Sequence, residues 1–201
     1  MPGFSSSPDA PHRQMTSAKI VIAGGFGVGK TTSVGAISEI PPIKTESWMT
    51  AATAQTDRLD PGTGKTTTTV AMDFGRVTID EALVLYLFGT PGQPRFWPMW
   101  DDLVRGAVGA LVLVDTRNLE SSFPAVNYFE HDAGVPWVVC VNLFDNVQTH
   151  PLDEVRDALS LPAHIPLLAT DVRESRNVAR ALLAVVDHAR DRASPLAIAA
   201  R

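Results

Sequence analysis

The glycine-rich turn that fixes the architecture of this chain reads Gly24-Gly25-Phe26-Gly27-Val28-Gly29-Lys30-Thr31. It matches the pattern G-x-x-x-x-G-K-[ST] at every fixed position. The apolar run Lys19–Ala23 before it predicts a strand, and Thr32–Ile40 after it predicts a helix that Pro41-Pro42 ends. In such a turn, glycines let several backbone N–H groups and the positive end of the helix meet phosphate oxygens. The sequence therefore predicts a phosphate-binding loop, and an ordinary glycine-rich strand-to-helix turn is the alternative.

Individual residues of this phosphate loop have separate predicted tasks. The ammonium group of Lys30 is expected to reach the terminal phosphates, and the hydroxyl of Thr31 is expected to ligate Mg²⁺. Phe26 is a bulky residue that either crowds the γ-phosphate side or packs against the long loop after the first helix. The nucleotide-binding residues predicted here are Gly25, Gly27, Val28, Gly29, Lys30, Thr31 and Thr32.

Apolar runs alternate with amphipathic segments along the rest of the chain. The runs that predict strands are Thr69–Asp80 with a turn at Gly75, Ala82–Phe88, Ala107–Val114, Pro136–Val141 and Ile165–Ala169. The segments that predict surface helices are Leu119–Asp132, Leu152–Leu159 and Asn177–Arg190. Apolar character is continuous in most of these strands, which is typical of strands covered by helices on both faces. The pattern predicts an α/β fold with a mostly parallel central sheet and helices on both faces.

Length and composition indicate one domain with flexible ends. The chain has 201 residues, of which 45% are hydrophobic, enough for an ordinary core. We predict a disordered N-terminal arm over residues 1–17, the folded domain over 18–190 and a flexible tail over 191–201. Residues 41–68 interrupt the alternation of strands and helices with prolines, glycines and threonines. A loop of that length inside a compact domain is either functional or disordered.

Charge and cysteine content argue against several classes of protein. A net charge of −5 without a strongly basic run argues against nucleic-acid binding. No apolar run is long enough to span a membrane, so we expect membrane contact only through partners. Cys140 is the only cysteine and lies in an apolar run, which predicts a buried core residue in a reducing, cytoplasmic compartment.

Later motifs resemble those of the Ras-like small GTPases, a branch of the P-loop nucleotide-binding proteins. The switch II motif D-x-x-G-Q has its counterpart in Gly89-Thr90-Pro91-Gly92-Gln93, and the base-recognition motif N-K-x-D in Asn142-Leu143-Phe144-Asp145. The last motif, T-S-A-K, resembles Leu168-Ala169-Thr170-Asp171-Val172-Arg173, and the switch I threonine with its strand resembles Thr69-Val70-Ala71-Met72-Asp73-Phe74. The order and spacing of these motifs along residues 18–190 imply a Ras-like G domain.

The chain also resembles the D-type proteins of bacterial conservon operons (CvnD), which are related to the Ras-like MglA GTPases. The resemblance lies in the blocks Thr66–Gly75, Phe88–Gln93 and Asp115-Thr116-Arg117. It implies a GTP/GDP molecular switch that hydrolyses GTP slowly in bacterial signalling, with Mg²⁺ as cofactor. It also implies two partners, a roadblock-type regulator and a sensor-kinase-like membrane protein.

The resemblance assigns the choice of base to the segment after the strand at Pro136–Val141. The carboxylate of Asp145 would accept two hydrogen bonds from guanine, a pair that adenine cannot donate. Asn142 would tie this segment to the phosphate loop, and Leu143, in place of lysine, would pack on the base without a charge. Within Asp171-Val172-Arg173, the backbone N–H of the middle residue would meet the guanine oxygen. The alternative for Asn142 and Asp145 is a loop with two polar caps.

The resemblance also assigns the groups near the γ-phosphate and Mg²⁺. Thr31 and Thr69 would ligate the metal, and Thr69 and Gly92 would contact the γ-phosphate end. Ras itself has an aspartate at the position of Gly89, and glycine cannot hold Mg²⁺ through water. Asp115, at the end of the next strand, either supports the metal or is an ordinary turn residue.

Hydrolysis needs a group that orients water and a positive charge that stabilises the transferred phosphoryl group. Gln93 is the predicted water-orienting residue, and the alternative is that it is a solvated turn glutamine. Lys30 would contact the terminal phosphates. MglA-like proteins bring their own arginine from the switch I region, which makes Arg58 the candidate here. Lys65 and Arg95 are the other cations in these segments, and otherwise each is a solvated charge.

Two other functions remain compatible with the sequence. A nucleotide-binding adaptor with little or no hydrolysis fits Gly89 and Phe26, and a P-loop ATPase or kinase fits the phosphate loop alone. The aromatic residues after Gln93 predict either a partner-binding face or part of the core. These residues are Phe96, Trp97 and Trp100.

Overall fold

A computed structural model describes the backbone of residues 16–41, 43–48 and 69–193, and the side chains of residues 16–41 and 72–193. The strands of this part are β1 (Thr16–Gly24), β2 (Ile43–Trp48), β3 (Thr69–Thr78), β4 (Leu83–Gly89), β5 (Gly109–Val114), β6 (Trp137–Asn142) and β7 (Leu167–Thr170). Within the described residues they form one seven-stranded sheet in the order β2-β3-β4-β1-β5-β6-β7.

Helices connect most of the strands. The α-helices are α1 (Lys30–Ile37), α2 (Trp100–Val104), α3 (Phe123–His131), α4 (Leu152–Ala158) and α5 (Ser175–Ala193). Short 3-10 helices occupy Pro94–Met99, Thr116–Ser122 and Phe144–Asn146. Among the described residues, no helix is both long enough and apolar enough to cross a membrane.

The sheet confirms the predicted α/β fold with a mostly parallel arrangement. Strands β4, β1, β5, β6 and β7 are parallel, whereas β3 is antiparallel to β4 and β2 is antiparallel to β3. Because the carboxyl ends of parallel strands meet at one edge of the sheet, the loops after β1, β4, β5, β6 and β7 converge there. Each of these loops carries one of the motifs found in the sequence.

The core explains why the apolar runs are continuous. In β1, Ile20 and Ile22 are fully buried in a cluster that α1 and α5 cover. Their neighbours Val21 and Ala23 are fully buried in a second cluster, which contains residues of α2, α3 and α4. Both faces of the strand are therefore covered by helices, as the sequence predicted. Cys140 is buried in the first of these clusters, also as predicted.

Strand β2 differs from the prediction, because residues 41–68 were expected to be an irregular loop. The strand pairs with β3 at one edge of the sheet, with Thr45 opposite Met72. Edge strands tolerate polar residues, so Ile43–Trp48 lacks the apolar run by which the central strands were recognised. Within the 41–68 segment, Pro42 and residues 49–68 lie outside the described residues.

The turn predicted at Gly75 is also wrong, because β3 continues through this residue to Thr78. A Cβ atom at Gly75 would lie only 2.7 Å from Cγ1 of Val34 and 3.1 Å from Cβ of Ser38. The glycine therefore allows α1 to pack closely on the strand, a use of glycine that a sequence pattern cannot separate from a turn.

The element boundaries extend slightly beyond the predicted domain at both ends. Thr16 and Ser17, which were assigned to the N-terminal arm, pair with Leu83 and Val84 of β4. The backbone N–H of Thr16 also donates to the carbonyl oxygen of Ala82 at 2.7 Å. At the other end, α5 continues to Ala193, three positions into the predicted tail.

Candidate functional site

The phosphate loop lies between the end of β1 and the start of α1. Gly24 and Gly29, the two fixed glycines of the motif, have φ angles of 138° and 109°, a region that residues with a side chain rarely adopt. Gly29 is also the residue that precedes the first turn of α1, so the backbone N–H groups at that helix end point toward the loop. The fixed glycines of the motif are therefore explained by the path of the backbone.

Lys30 places its ammonium group inside the loop. Its Nζ atom donates hydrogen bonds to the carbonyl oxygens of Gly24 at 2.8 Å and Gly25 at 2.6 Å, and the residue is only 8% exposed. Burial lowers the pKa of Lys30 to about 8, although the charge of Asp73 opposes this change. A buried ammonium group of this kind is a binding partner for an anion that enters the loop.

Thr31 and Asp73 form a pair next to the loop. The Thr31 hydroxyl donates a hydrogen bond of 2.6 Å to Oδ2 of Asp73. Asp73 stands opposite Gly89 in the pairing of β3 with β4, and a Cβ atom at Gly89 would lie 3.2 Å from Oδ2 of Asp73. The Asp73 carboxylate thus occupies the space into which a side chain at position 89 would point.

Sequence reasoning missed Asp73 and considered Asp115 instead. Asp115 accepts hydrogen bonds from the backbone N–H, Nε and Nη2 of Arg117 at 2.9, 3.0 and 2.9 Å. Although burial raises the pKa of Asp115, the hydrogen bonds from Arg117 hold it below its usual value. The carboxylate is therefore committed to Arg117, which agrees with the alternative that Asp115 is a turn residue.

The switch II segment packs directly on the phosphate loop. The Thr90 N–H donates to the carbonyl oxygen of Ile22 at 2.9 Å and so extends the pairing of β4 with β1. A Cβ atom at Gly92 would lie 2.7 Å from Nζ of Lys30 and 2.9 Å from the backbone nitrogen of Phe26. Only a glycine allows this approach, so position 92 touches the centre of the phosphate loop.

A cavity of about 510 Å³ opens between these segments. Its lining includes Lys30, Thr31, Asp73, Gln93 and Arg95. The Arg95 guanidinium lies over the ring of Phe96, 4.6 Å from its centroid. The cavity therefore brings the predicted water-orienting glutamine and a cation next to the phosphate loop. Arg58, Lys65 and the side chain of Thr69 lie outside the described residues.

The aromatic residues around the switch II segment divide between the core and the surface. Phe96 is buried, and Trp100 is 2% exposed and donates through Nε1 to the carbonyl oxygen of Pro91 at 3.2 Å. Trp97 is partly exposed, and Phe26, on the rim of the cavity, is 75% exposed. Core packing thus accounts for Phe96 and Trp100, whereas Trp97 and Phe26 offer aromatic surface to the solvent.

Asn142 joins the base-recognition segment to its neighbours. Its Nδ2 atom donates to the carbonyl oxygen of Val28 at 2.9 Å, and its Oδ1 atom accepts from the backbone N–H of Val172 at 3.3 Å. The residue is buried at the end of β6. One amide side chain therefore holds together the phosphate loop and the loops after β6 and β7.

Asp145 projects into solvent but is bonded to a cation. Its side chain is 84% exposed, and its φ angle is 56°. Its Oδ1 atom accepts a hydrogen bond of 3.0 Å from Nη1 of Arg173. The other nitrogens of Arg173 bind the buried carboxylate of Asp171, and these hydrogen bonds lower the pKa of Asp171 and raise that of Arg173. Asp171 thus orients the arginine that contacts Asp145.

Leu143 lies in a different place from the one predicted, and its neighbour Phe144 lies at a cavity. The Leu143 side chain packs against the core cluster of α2, α3 and α4, where burial of its apolar surface is favourable. Phe144 instead borders a cavity of about 120 Å³ together with Gly29, Asn142 and Arg173. A base in this cavity would meet Phe144, and the prediction that Leu143 packs on the base does not fit this placement.

Comparison with known proteins gives the same fold. The model of a family described as "Conserved hypothetical ATP binding protein" matches residues 22–192. The FeoB G-domain from Methanococcus jannaschii is similar with a TM-score of 0.55 and 13% sequence identity, over 88% of this chain and 99% of that chain.

Two longer FeoB chains are also similar. A GDP-bound mutant of S. thermophilus NFeoB has a TM-score of 0.56 and 20% identity, over 85% of this chain and 62% of that chain. The cytosolic domain of the T. maritima FeoB iron transporter in its apo form has a TM-score of 0.58 and 18% identity, over 87% and 64%. The chain therefore spans less than two thirds of these proteins. At such identities the likeness shows the G-domain fold of P-loop proteins.

Proposed function

This chain belongs to the family described as conserved hypothetical ATP-binding proteins. From this membership of a nucleotide-binding family we propose that it is a switch protein, and from the residues of its base-recognition segment that it binds GTP and GDP. One observation carries the proposal. Asn142 bonds the phosphate loop at Val28 and holds it beside the loop of Asp145, and the cavity next to it is lined both by Gly29 of the phosphate loop and by Arg173, which binds Asp145.

The phosphate loop supports binding of a polyphosphate. Lys30 is buried with its ammonium group against two carbonyl oxygens, and an entering phosphate would offer it a stronger, oppositely charged partner. The end of α1 adds backbone N–H groups and the positive end of the helix dipole. These groups favour the phosphates of a nucleotide, whichever base it carries.

The residues beside the loop fit Mg²⁺. This ion prefers oxygen donors, retains several waters and needs only one or two protein ligands. Thr31 offers a hydroxyl and Asp73 a carboxylate, 2.6 Å apart, at the edge of the cavity that Lys30 lines. Thr31 would hold the ion directly, and Asp73 would bind the waters of the ion. In Ras the second task belongs to an aspartate at the position that Gly89 holds in this chain. When bound, the ion neutralises charge on the phosphate oxygens.

The base-recognition segment favours guanine. A carboxylate accepts the two parallel N–H donors of guanine, whereas adenine would place an acceptor there and leave Asp145 without a matched donor. Nη1 of Arg173 already donates one hydrogen bond to Oδ1 of Asp145, so this carboxylate is oriented to accept N–H donors. The second candidate is an ATP-binding protein, because the family description names ATP.

The switch and its partners complete the proposal. Gly92 and Gln93 lie at the cavity of the phosphate loop, so a γ-phosphate would contact this segment and its loss would release it. GTP hydrolysis would be slow. Gln93 would orient the attacking water, and Arg58, Lys65 or Arg95 would supply the positive charge that stabilises the transferred phosphoryl group. The resemblance to CvnD proteins supports a role for this cycle in bacterial signalling in the cytoplasm, and it would supply a roadblock-type regulator and a sensor-kinase-like protein as partners.

Calorimetry on folded, nucleotide-stripped protein with Mg²⁺ tests the proposal. We expect GDP and a slowly hydrolysed GTP analogue to bind at least tenfold more tightly than ADP and the matching ATP analogue. A preference for the adenine nucleotides would establish the second candidate and refute the role of Asp145. No uptake of any of the four ligands would refute nucleotide binding itself. Single-turnover hydrolysis of GTP by the wild type and by Gln93→Ala then separates a switch from an adaptor, since equal negligible rates indicate the adaptor.

A further inference from the structure

Phe144 is the one aromatic residue described beside the small cavity next to Asn142. Its ring is half-buried, and it borders the cavity opposite the glycines of the phosphate loop, Gly27 and Gly29. The position of lysine in the N-K-x-D pattern is held by Leu143, which turns into the core. Phe144 therefore offers this cavity a flat aromatic surface at the position next to the one that holds lysine in the N-K-x-D pattern.

Arg117 covers part of the Phe144 ring. Its guanidinium carbon lies 3.3 Å from the ring centroid, which is a stacked cation–π contact. The guanidinium is fixed by the bonds of its Nε and Nη2 atoms to Asp115, whose carboxylate is buried. Arg117 and Asp115 thus hold the ring in place from the side of β5, and the remaining surface of the ring borders the cavity.

The same arginine contributes charge at the base-recognition segment. Attraction to Asp145 is among the causes that raise the pKa of Arg117, after its hydrogen bonds to Asp115. Arg173 reaches Asp145 from the opposite side, from the loop after β7, and is itself held by Asp171. The segment after β6 therefore lies between two Asp-x-Arg pairs of the same design, one after β5 and one after β7.

We propose that Phe144 and Arg117 together replace the missing lysine, with Phe144 as the surface on which a purine base stacks and Arg117 as the residue that positions the ring. This inference rests on the proposed nucleotide binding and adds residues to its base site. Phe144 would contact the ligand, whereas Arg117 and Asp115 act through Phe144. The loss of a stacking surface should weaken nucleotide binding about tenfold or more.

The test compares a nucleotide with its phosphates alone. Affinities for GDP and for inorganic tripolyphosphate, both with Mg²⁺, are measured by calorimetry on the wild type, Phe144→Leu and Arg117→Ala. We expect Phe144→Leu to weaken GDP at least tenfold and tripolyphosphate less than twofold, because only the base touches the ring. Arg117→Ala should also weaken GDP binding more than tripolyphosphate binding, but by a smaller factor than Phe144→Leu does. Arg117→Lys should recover only part of the GDP affinity that Arg117→Ala loses.

Matched controls use residues that do not line the cavity. Phe123→Leu changes a partly exposed phenylalanine at the start of α3, and Arg105→Ala removes an exposed arginine paired with Asp102. Both should leave the two affinities unchanged. If Phe144→Leu binds GDP as Phe123→Leu does, the inference is overturned while the proposed function stands. If the wild type binds tripolyphosphate but no nucleotide, both are overturned.

A tryptophan at position 144 gives a second readout that does not depend on a loss of function. Phe144→Trp keeps a flat ring, so its affinity for GDP should stay within about threefold of the wild type. GDP should quench its fluorescence by more than it quenches the native tryptophans of the wild type, and tripolyphosphate should not. Equal quenching by GDP and tripolyphosphate would show that the ring senses the phosphate loop rather than a base, and would reject the stacking role.

Discussion

The Thr31 hydroxyl donates a 2.6 Å hydrogen bond to the Asp73 carboxylate, and this pair joins the phosphate loop to the antiparallel part of the sheet. Thr31 belongs to α1 and Asp73 to β3, so two elements meet at the place where Mg²⁺ would be held. The carboxylate lies where residue 89 has no side chain. The pair therefore places an acidic group beside Gly89, where the proposed Mg²⁺ would need one.

Asp73→Asn is expected to weaken Mg²⁺ binding in the nucleotide complex by about 10- to 100-fold, the range seen when groups that orient metal ligands are lost. The amide keeps the shape of the side chain but removes its charge, so folding should be little affected. Mn²⁺ titration followed by electron paramagnetic resonance, with GDP bound, measures the change. Asp102→Asn, at an exposed ion pair, is the control. Equal metal affinity in the two variants would show that Asp73 has no part in the metal site.

A position swap makes the same prediction sharper. Asp73→Gly removes the carboxylate and leaves room at position 89, where a Cβ atom would lie 3.1 Å from the present Cβ of Asp73. Adding Gly89→Asp should then return a carboxylate to nearly the same space. We expect the double variant to bind Mn²⁺ more tightly than Asp73→Gly alone. A double variant as weak as the single one would mean that the location of the carboxylate is not what matters.

Lys30 is expected to make the free energy of unfolding depend on pH. Burial lowers the pKa of Lys30 to about 8 from 10.5. Between these values the unfolded chain binds more protons at this residue than the folded chain does. The free energy of unfolding therefore rises with pH through this window. Below the window it is lower by roughly 3 kcal/mol, because the buried ammonium group is then fully charged.

Urea denaturation without nucleotide, repeated from about pH 7 to pH 10.5, measures this dependence. Lys30→Met removes the titrating group, so the wild type should gain stability relative to this variant as the pH rises. Other groups titrate equally in both proteins and cancel in the difference. Parallel pH curves for the two proteins would contradict a lowered pKa for Lys30.

The sequence was informative wherever one local pattern decided the outcome. The run Lys19–Ala23 and the turn Gly24–Thr31 each carry a signal within a few neighbouring residues, and the structure has a strand and a loop there. Asp73 carried no such signal. It becomes the neighbour of Gly89 only through the antiparallel register of β3 and β4, which no spacing along the chain reveals. The sequence therefore revealed that position 89 has no aspartate, but it did not reveal that Asp73 lies in its place.

The base-recognition segment shows a second limit of the same kind. A motif alignment assigned the lysine position to Leu143, yet side-chain direction depends on the local backbone. Here the backbone of Asp145 adopts φ 56°, and Leu143 contributes its N–H to the carbonyl oxygen of Thr170 at 2.9 Å. Leu143 faces the core and Phe144 faces the cavity. Strand β2 was missed for a related reason, since an edge strand is defined by its partner rather than by an apolar run.

Asn142→Ala is expected to lower the free energy of unfolding by about 1–3 kcal/mol, because it leaves the Val28 carbonyl and the Val172 N–H without their partner in a buried place. It should also weaken GDP binding, since the two loops it joins would separate. Urea denaturation and calorimetry measure the two effects. Asn127→Ala, at an exposed position of α3, is the control and should change neither. A stable Asn142→Ala variant with normal GDP affinity would show that this amide does not organise the site.

Asp145→Asn is expected to change which base is bound rather than whether a nucleotide is bound. The carboxylate accepts two N–H groups of guanine, whereas an amide accepts one and donates one, which matches the N–H and carbonyl edge of xanthine. The ratio of the affinities for GDP and xanthosine diphosphate should therefore shift toward xanthosine by at least tenfold. The variant also removes a charged partner from Arg173, but Asp171 continues to hold that arginine, so the loop should stay in place. Competition against a fluorescent nucleotide measures the ratio, with Asp153→Asn on α4 as the control. An unchanged ratio would mean that Asp145 does not read the base, and would leave the adenine-nucleotide candidate in the stronger position.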